Sequence, residues 1–288
     1  MKTIFLAGGS GFIGSNFLKR YNHKYKFFVL VRDKKKNLNN SKEKNKNIIY
    51  LFFKNNKQID KILENIKVDY FVNLATFYSN RNESADIKKI VLSNILFPSL
   101  IINALNKKNL KKIINIGTMQ EHYQNSQYFP YNFYAASKKS FETLIEFYKR
   151  KYDKIKFLNL KFFENFSKKD NRNKILPIIK KKHKKNILLD ISGQNLSLNF
   201  LHVDDICRAI DILISKKIND GNYQIQSKNF TNIVKLIKKY NNDNKNKINY
   251  KIHDDNFFKI NYKIKKLPHW KQTLFIEDYF EKIINEKN

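Results

Sequence analysis

The first half of the chain alternates short apolar runs with amphipathic helical patterns, and this alternation restricts the possible fold more than any other feature. It predicts strands at residues 3–7, 27–31, 48–53, 70–74, 113–116 and 155–160, and helices at 12–21, 59–66, 87–105 and 134–151. Short buried strands separated by helices are typical of a parallel sheet that is covered on both faces. The sequence therefore predicts an α/β fold with a doubly wound parallel sheet over residues 1–161.

The second half is organised differently, because the alternation weakens after residue 161. A polar stretch at 164–174 is followed by a short helical pattern at 176–183 and an apolar one at 204–214, and the asparagine-rich residues 241–247 predict a loop. We expect residues 162–288 to form a smaller lobe that closes over the carboxyl edge of the sheet. Whether segments of this lobe return to the first domain stays open at this stage.

The turn after the first predicted strand reads FLAGGSGFIGS and spaces Gly8, Gly11 and Gly14 three residues apart. A tight turn at this place brings backbone N–H groups against a pyrophosphate at the start of a helix, where the helix dipole also favours an anion. The sequence therefore predicts a dinucleotide cofactor. The predicted contacts in this turn are Gly8, Gly9, Ser10, Gly11, Phe12 and Ile13.

The end of the second predicted strand bears on which dinucleotide binds. NAD-binding folds place an acidic residue there for the ribose hydroxyls, whereas the 2′-phosphate of NADP requires a cation. This chain has Arg32 at that position, followed by Asp33 and a run of lysines. The planar guanidinium of Arg32 suits a phosphate, so we predict NADP, with NAD as the alternative because Asp33 is placed to reach a ribose.

Tyr134 and Lys138 form a Y-x-x-x-K pair on a predicted helix that follows the fifth strand. Residues four apart on a helix point the same way, and the loop before this helix leaves the sheet at its carboxyl edge. A nearby ammonium lowers the pKa of a phenol, so Tyr134 can pass a proton to a carbonyl oxygen while hydride arrives at carbon. Lys138 also holds the nicotinamide ribose, and Thr118 hydrogen-bonds the same carbonyl oxygen.

The formal net charge of +32 does not by itself predict a nucleic-acid partner. Only six of the 57 basic residues are arginine, and lysine is abundant together with Asn, Ile, Phe and Tyr, all of which have AT-rich codons. No apolar run approaches the roughly 18 residues of a membrane span. The single Cys207 excludes an internal disulfide, and we expect a cytoplasmic protein without a membrane, nucleic-acid or metal partner.

With these motifs in place, the chain resembles the extended short-chain dehydrogenase/reductase family, within its nucleotide-sugar epimerase, dehydratase and reductase group. The matching stretches are GGSGFIG at 8–14, VNLAT at 72–76, GT at 117–118, YAASK at 134–138 and LHVDD at 201–205. The resemblance implies a Rossmann sheet, a C-terminal lobe for a nucleoside-diphosphate sugar, and a homodimer formed by helices near 87–105 and 134–151. It implies Thr118, Tyr134 and Lys138 as the catalytic set, with Leu74, Ala75 and Thr76 beside the cofactor. The stretch at 160–177 is most similar to CDP-abequose and CDP-paratose synthases, which reduce a 4-keto sugar.

Three chemistries share this scaffold. Related dehydratases carry Asp-Glu directly after the threonine, where this chain has Met119 and Gln120. An epimerase returns its hydride and keeps NAD bound, whereas a reductase consumes NADPH, which Arg32 favours. The leading hypothesis is an NADPH-dependent 4-ketoreductase of a nucleotide sugar in surface-polysaccharide biosynthesis. The alternatives are an NAD-dependent 4-epimerase and, from another class, a dinucleotide-binding regulator without catalysis. The predicted substrate contacts are Gln120, Glu164, Lys174, Asn199 and His202.

Overall fold

The computed structural model describes residues 1–32, 45–79, 83–253 and 260–286. Its central element is a seven-stranded parallel sheet with the strand order β11-β6-β5-β4-β1-β2-β3. These strands are β1 (Lys2–Ala7), β2 (Tyr25–Val31), β3 (Ile48–Phe52), β4 (Tyr70–Asn73), β5 (Lys112–Ile116), β6 (Lys156–Lys161) and β11 (Gly221–Gln224). The strand order reverses next to β1: β2 and β3 lie on one side of it, and β4, β5 and β6 lie on the other. Doubly wound folds bind ligands in the crevice that this reversal creates.

Helices cover both faces of the sheet. They are α1 (Phe12–Tyr21), α2 (Ile59–Leu63), α3 (Ser84–Val91), α4 (Phe97–Ala104), α5 (Phe133–Lys151) and α7 (Val203–Ser215). On one face, α1 and α7 share a core with the apolar side chains of the strands. On the other face, α2, α4 and α5 pack into a second core. Strands covered on both faces are mainly apolar, which explains the short apolar runs seen in the sequence.

A smaller C-terminal lobe has its own apolar core. It contains the strands β7 (Glu164–Phe166), β8 (Leu189–Ser192), β9 (Ser197–Leu198), β10 (Phe200–His202), β12 (Thr231–Asn232) and β13 (Tyr250–His253), and the helices α6 (Ile175–Lys184), α8 (Ile233–Asp243) and α9 (Ile276–Ile284). Its strands form three two-stranded sheets, pairing β7 with β10, β8 with β13 and β9 with β12. None of the helices in the described ranges combines the length and apolarity that a membrane-spanning segment needs.

The structure confirms the predicted fold class, and each of the six predicted strands begins and ends within two residues of its prediction. Two elements from residues 162–288 belong to the first domain and not to the smaller lobe. Helix α7 packs against α1, and strand β11 extends the parallel sheet beside β6. Two local predictions differ from the structure: helix α8 continues to Asp243, into the predicted loop, and the helix predicted at 59–66 already ends at Leu63. The helix predicted at 87–105 is present as a continuous helical stretch of α3, a π-helical turn (Leu92–Leu96) and α4.

Candidate active site

The turn after β1 forms a backbone cradle that only glycine permits. Gly8 has a φ of +80°, and a Cβ built on it would lie 2.5 Å from the backbone of Leu74 and Ala75. A Cβ on Gly14 would lie 2.2 Å from the Gly8 carbonyl oxygen. Gly11 caps α1 without a side-chain hydrogen bond, which leaves the first helical N–H groups to face an anion. The cradle therefore fits the pyrophosphate of a dinucleotide.

A cleft of about 560 Å³ extends from this cradle along the carboxyl edge of the sheet. Its volume lies within the usual range of ligand sites. Predicted site residues that line it are Gly8, Ser10, Gly11, Phe12, Ile13, Arg32, Leu74, Ala75, Thr76, Thr118, Gln120, Tyr134, Lys138, Glu164 and Lys174. Gly9 faces the sheet instead, where a Cβ would lie 2.4 Å from the Val29 side chain. The prediction for Asp33 lies outside the described residues.

Tyr134 and Lys138 lie in the first turns of α5, which Asn132 caps by accepting a hydrogen bond from the Ala135 N–H at 2.8 Å. Both side chains line the cleft. Burial raises the pKa of Tyr134, although a side-chain hydrogen bond with Thr76 acts in the opposite direction. The sequence had led us to expect a lowered pKa, and the difference arises because burial disfavours the phenolate. Burial also lowers the pKa of Lys138 to about 8, because the ammonium is kept from water.

Gln120 lies in a short 3₁₀ turn (Met119–Glu121) that follows β5, and Thr118 caps the start of this turn. The Thr118 hydroxyl accepts a hydrogen bond from the Gln120 N–H at 3.3 Å, and the Glu121 carboxylate accepts one from the Thr118 N–H at 2.8 Å. The side-chain oxygen of Gln120 is buried and has no hydrogen-bond partner within the described part of the chain. A buried acceptor of this kind in a cleft wall is suited to a donor on a ligand.

The family follows from comparison with known proteins. The model of the NAD dependent epimerase/dehydratase family matches residues 4–225. The chain belongs to this family. This confirms the resemblance seen in the sequence and makes the chain an NAD(P)-dependent enzyme.

Individual relatives agree with this family. The chain is 28% identical to the CDP-abequose synthase of Yersinia pseudotuberculosis over 225 residues, which cover 76% of this chain and 75% of that protein. It is 27% identical to a dTDP-D-glucose 4,6-dehydratase of Dictyostelium discoideum over 245 residues, 75% of this chain and 56% of that one. A UDP-glucuronic acid 4-epimerase from Bacillus cereus, solved with UDP-glucuronic acid and NAD, matches with a TM-score of 0.82 and 19% identity over 98% of both chains. At that identity the likeness shows the fold.

Asn94 is a site residue that the sequence analysis missed in this epimerase/dehydratase family enzyme. It lies in the π-helical turn and is 1% exposed. Its amide oxygen accepts hydrogen bonds from the Phe77 N–H at 2.8 Å and the Thr76 hydroxyl at 3.2 Å. Its amide nitrogen donates to the Phe77 carbonyl at 3.1 Å and the Ser137 hydroxyl at 3.0 Å. Asn94 thus joins the loop after β4 to α5, beside Tyr134.

The sequence does carry one signal for this irregular turn. Pro98 lies inside the predicted helix 87–105, and a proline has no N–H to donate to the carbonyl four residues earlier. Helices with an interior proline are kinked or locally rewound at that point. The preceding residues here form the π-helical turn, and π-helical turns recur at functional sites.

Tyr78 is a second missed residue and packs directly against Tyr134. Their ring centroids are 4.9 Å apart in an edge-to-face arrangement. The Lys174 ammonium lies 4.3 Å from the centre of the Tyr78 ring and forms an ion pair with Glu164 at 3.2 Å. Glu164 and Lys174, both predicted as substrate contacts, therefore meet in the cleft as a pair that connects the C-terminal lobe to the ring beside Tyr134.

Arg172 is a third missed residue and lies at the cofactor end of the cleft. Its guanidinium stacks 3.6 Å from the centre of the Phe12 ring, directly after the glycine cradle. Asp170 holds it through hydrogen bonds from Nε at 2.8 Å and Nη2 at 2.6 Å. The Arg172 guanidinium is therefore held next to the glycine cradle, where it is suited to contact a phosphate group.

The part of the cleft next to the end of β2 is lined by Leu30, Val31, Arg32 and Phe53. Phe53 stacks on Phe97 with ring centroids 5.4 Å apart. In the described lining of the whole cleft, Glu164 is the single carboxylate, and it is paired. The Phe53 ring lines the cleft and offers an aromatic surface to a nucleotide base. The sequence analysis had not identified Phe53 as a site residue.

Asn199 and His202 lie away from the cleft. The Asn199 amide group accepts a hydrogen bond from the Ser227 N–H at 2.8 Å and donates to the Ser227 carbonyl at 3.0 Å. The His202 ring accepts a hydrogen bond from the Asp204 N–H at 3.2 Å, which caps α7. Both side chains form hydrogen bonds within the protein and do not line the cleft. We therefore assign them structural roles in place of the predicted substrate contacts.

Proposed function

We propose that the chain is an NADPH-dependent reductase of a nucleoside-diphosphate-linked 4-keto-deoxy sugar, acting in surface-polysaccharide biosynthesis. Its similarity to CDP-abequose synthases from Yersinia pseudotuberculosis and Salmonella muenchen, at 28% and 25% identity, supports a nucleotide-sugar substrate. The observation that carries the proposal is that one cleft joins Tyr134 and Lys138 to Arg32 at its far end.

Tyr134 is the proposed proton donor. Reduction of a ketone adds hydride to carbon and a proton to oxygen, and a reduced nicotinamide cofactor, when bound, supplies the hydride. Because burial raises the pKa of Tyr134, its phenol keeps its proton at neutral pH, which is the state that a donor requires. Lys138 is an ammonium below pH about 8 and stabilises the phenolate that remains. We assign Thr118 a hydrogen bond to the same substrate oxygen.

Arg32 supports NADPH over NADH. It lies directly after β2 and lines the cleft. A guanidinium matches the two-pronged geometry of a phosphate, whereas ribose hydroxyls bind best to a carboxylate. Exchange of Arg32 for Ala is expected to raise the KM for NADPH and leave that for NADH nearly unchanged. An equal effect on both cofactors would contradict this assignment.

Dehydration receives no support from the residues after Thr118. A dehydratase needs an acid and a base beside the sugar, and the corresponding residues are Met119 and Gln120, neither of which titrates. Met119 is fully buried. Glu121 carries the nearest carboxylate along the chain, but it is fully buried and pairs with Lys161 at 2.6 Å.

The decisive experiment incubates the purified protein with CDP-, GDP- and dTDP-linked 4-keto-deoxy sugars and either NADPH or NADH. We expect consumption of NADPH with at least one of these substrates and a product reduced at C4. If NADPH is not oxidised and the protein instead inverts C4 of a nucleotide sugar with catalytic NAD, it is a 4-epimerase. If neither reaction occurs while the dinucleotide still binds, the regulator hypothesis replaces both.

Removal of the Tyr134 hydroxyl tests the proton donor. Loss of a positioned general acid lowers turnover by about 10²- to 10⁴-fold, whereas cofactor binding does not depend on that proton. We therefore expect Tyr134→Phe to lower kcat by this amount with an unchanged Kd for NADPH. Tyr148→Phe is the matched control, since Tyr148 lies on the same helix and its hydroxyl donates to the Ser99 carbonyl. Equal turnover in the two variants would remove Tyr134 from the mechanism.

A homodimer is also proposed, through the helices that the sequence resemblance indicated. Leu92 and Leu96 next to α3 and Leu144 and Phe147 on α5 expose 41%, 39%, 37% and 49% of their surface. Large apolar side chains grouped on neighbouring helices favour association. Light scattering is expected to give twice the 34.5 kDa chain mass, and a Phe147→Glu variant is expected to give the monomer mass. A monomeric wild type would contradict the proposal.

A further inference from the structure

Lys161, the last residue of β6, carries an ammonium in the interior of the protein and is 1% exposed. Its Nζ lies 2.6 Å from a carboxylate oxygen of Glu121 and 2.6 Å from one of Glu142. The His122 ring nitrogen lies 3.2 Å away. The two carboxylates come from different elements, so one buried cation joins two parts of the fold.

The Glu121 carboxylate leads from Lys161 to Thr118. One of its oxygens pairs with Lys161, and the other accepts a hydrogen bond from the Thr118 N–H at 2.8 Å. Gly117 makes room for this arrangement, because a Cβ there would lie 2.9 Å from both the Glu121 oxygen and the Lys161 side chain. The backbone position of Thr118 is therefore fixed by a carboxylate that Lys161 holds.

The Glu142 carboxylate leads from Lys161 to the helix that carries Tyr134 and Lys138. Glu142 lies on α5 four residues after Lys138 and eight after Tyr134, which places all three on one side of the helix. Its oxygens also accept hydrogen bonds from Asn159 at 3.1 Å and from Asn222 and Lys139 at 3.0 Å each. Helix α5 is thus anchored to the sheet through this carboxylate, one turn after Lys138.

Asn159 belongs to a row of amides that crosses the sheet beneath α5. Asn73, Asn115 and Asn159 lie in register on β4, β5 and β6, and each side-chain nitrogen donates to the next side-chain oxygen at 2.9 Å. The row ends on Glu142. The row begins at the Asn73 side-chain oxygen, which is buried and has no hydrogen-bond partner within the described residues. The buried hydrogen bonds from Asn115 to Glu142 resist displacement, since no water can replace either partner.

Opposite charges meet around Lys161, although burial raises the pKa of Glu121 against the opposing effect of the Lys161 ammonium. The carboxylates of Glu121 and Glu142 face the ammonium groups of Lys161 and Lys139. Burial lowers the pKa of His122 to about 4, so its ring is neutral, and it stacks on Tyr262 with ring centroids 4.2 Å apart. Glu121, Glu142, Lys161, Lys139 and His122 are not among the described residues that line the cleft.

A buried ion pair is a poor source of stability compared with apolar packing, but it holds its partners in one geometry. We propose that Lys161 is a positioning residue: it ties the Thr118 turn to the helix of Tyr134 and thereby sets the spacing of these two groups around the reacting oxygen. The inference rests on the enzyme activity proposed above and applies to reduction and epimerisation alike, because both place one sugar oxygen between the two side chains.

The test compares Lys161→Met with Lys161→Arg, using Lys112→Met as the matched control. Lys112 is likewise a strand lysine, although it is only half-buried, and its ammonium donates to the Leu213 and Lys216 carbonyls at the opposite edge of the sheet. Misplacement of catalytic groups by about 1 Å lowers turnover by about 100-fold. We expect a loss of this size in kcat for Lys161→Met, with KM and the Kd for NADPH within about twofold of wild type. Lys161→Arg keeps the charge and is expected to restore most of the turnover, which a purely structural change in packing would not do.

Glu121→Gln provides the second test if Lys161→Met does not fold. It keeps an oxygen for the Thr118 N–H and leaves Lys161 paired with Glu142, so the protein is expected to fold while the tie to Thr118 weakens. A fall in kcat of about tenfold at constant KM supports the proposal. A kcat within twofold of the control overturns it, as does an equal loss in the Met and Arg variants of Lys161. If the wild type is an epimerase and not a reductase, the same variants are measured in the epimerisation assay. Failure of the proposed role of Lys161 can then be distinguished from failure of the proposed reductase activity.

Discussion

Replacement of Asn94 by alanine tests whether one buried amide organises the site. The change removes four hydrogen bonds, two with the backbone of Phe77 and one each with the hydroxyls of Thr76 and Ser137. Thr76 in turn shares a hydrogen bond with Tyr134, and the Ser137 hydroxyl donates to the Tyr134 carbonyl at 2.7 Å. The substitution therefore affects stability and the catalytic helix together.

The expected loss of stability follows from the groups left without partners. A hydrogen bond contributes about 1 kcal/mol net, and an unsatisfied buried group costs about 1–3 kcal/mol. Phe77 is only half-buried, so water can reach part of its backbone, and the loss should stay below the sum for all four bonds. We expect a decrease of about 3 kcal/mol in the free energy of unfolding, which lowers Tm by about 6 °C.

The assay is urea denaturation of Asn94→Ala together with turnover under saturating NADPH. Asn103→Ala is the matched control, because Asn103 lies on the same helical stretch but is exposed, and surface changes usually stay within about 0.5 kcal/mol. Turnover of Asn94→Ala is expected to fall by about 10- to 100-fold, since Thr76 and α5 lose their common support. If both variants unfold within 0.5 kcal/mol of wild type, the reasoning about this amide is refuted.

Three further outcomes follow from the geometry of the cleft. Gly14→Ala should abolish dinucleotide binding in a fluorescence titration, because the added Cβ would lie 2.2 Å from the Gly8 carbonyl oxygen. Gly11→Ala should weaken binding less, because the nearest contact of its Cβ is 3.2 Å. Equal Kd values for the two variants would contradict this. The proposed role of Lys138 requires its ammonium, and burial lowers the pKa of that group to about 8, so kcat/KM should be level below this pH and fall about tenfold per unit above it. A profile level to pH 10 would exclude this role. Burial raises the pKa of the Cys207 thiol to about 12, so a thiol reagent should react with the native protein only on unfolding, and rapid labelling would contradict its burial.

The order of strands and helices was predictable because it depends on local patterns. Most residues of the predicted strands are apolar because both faces of the sheet are covered by helices, and the strands end near glycine or polar residues. The cradle was predictable for a related reason: the φ of +80° at Gly8 and the close approach at Gly14 exclude other residues. Strand β11 was not predicted, since GNYQ carries no apolar pattern and joins the sheet only through its contact with β6.

The candidate site was predictable where chemistry depends on spacing along one element. Tyr134 and Lys138 lie four residues apart on a helix, and the structure places both in the cleft. It was not predictable where a side chain finds its partners far along the chain. Asn199 bonds to Ser227, 28 residues away, and nothing within its own neighbourhood in the sequence distinguishes that role from a substrate contact.

The sequence by itself determined the alternating α/β order, the glycine cradle and the tyrosine–lysine pair, because each depends on residues within a few positions of one another. The tertiary structure alone decided the protonation and placement of these groups. Burial, which raises the pKa of Tyr134, is produced by the whole fold, and the tie from Thr118 through Lys161 to Glu142 joins residues on three separate elements. Desolvation and long-range ion pairs arise only when the chain is packed, so no local pattern encodes them.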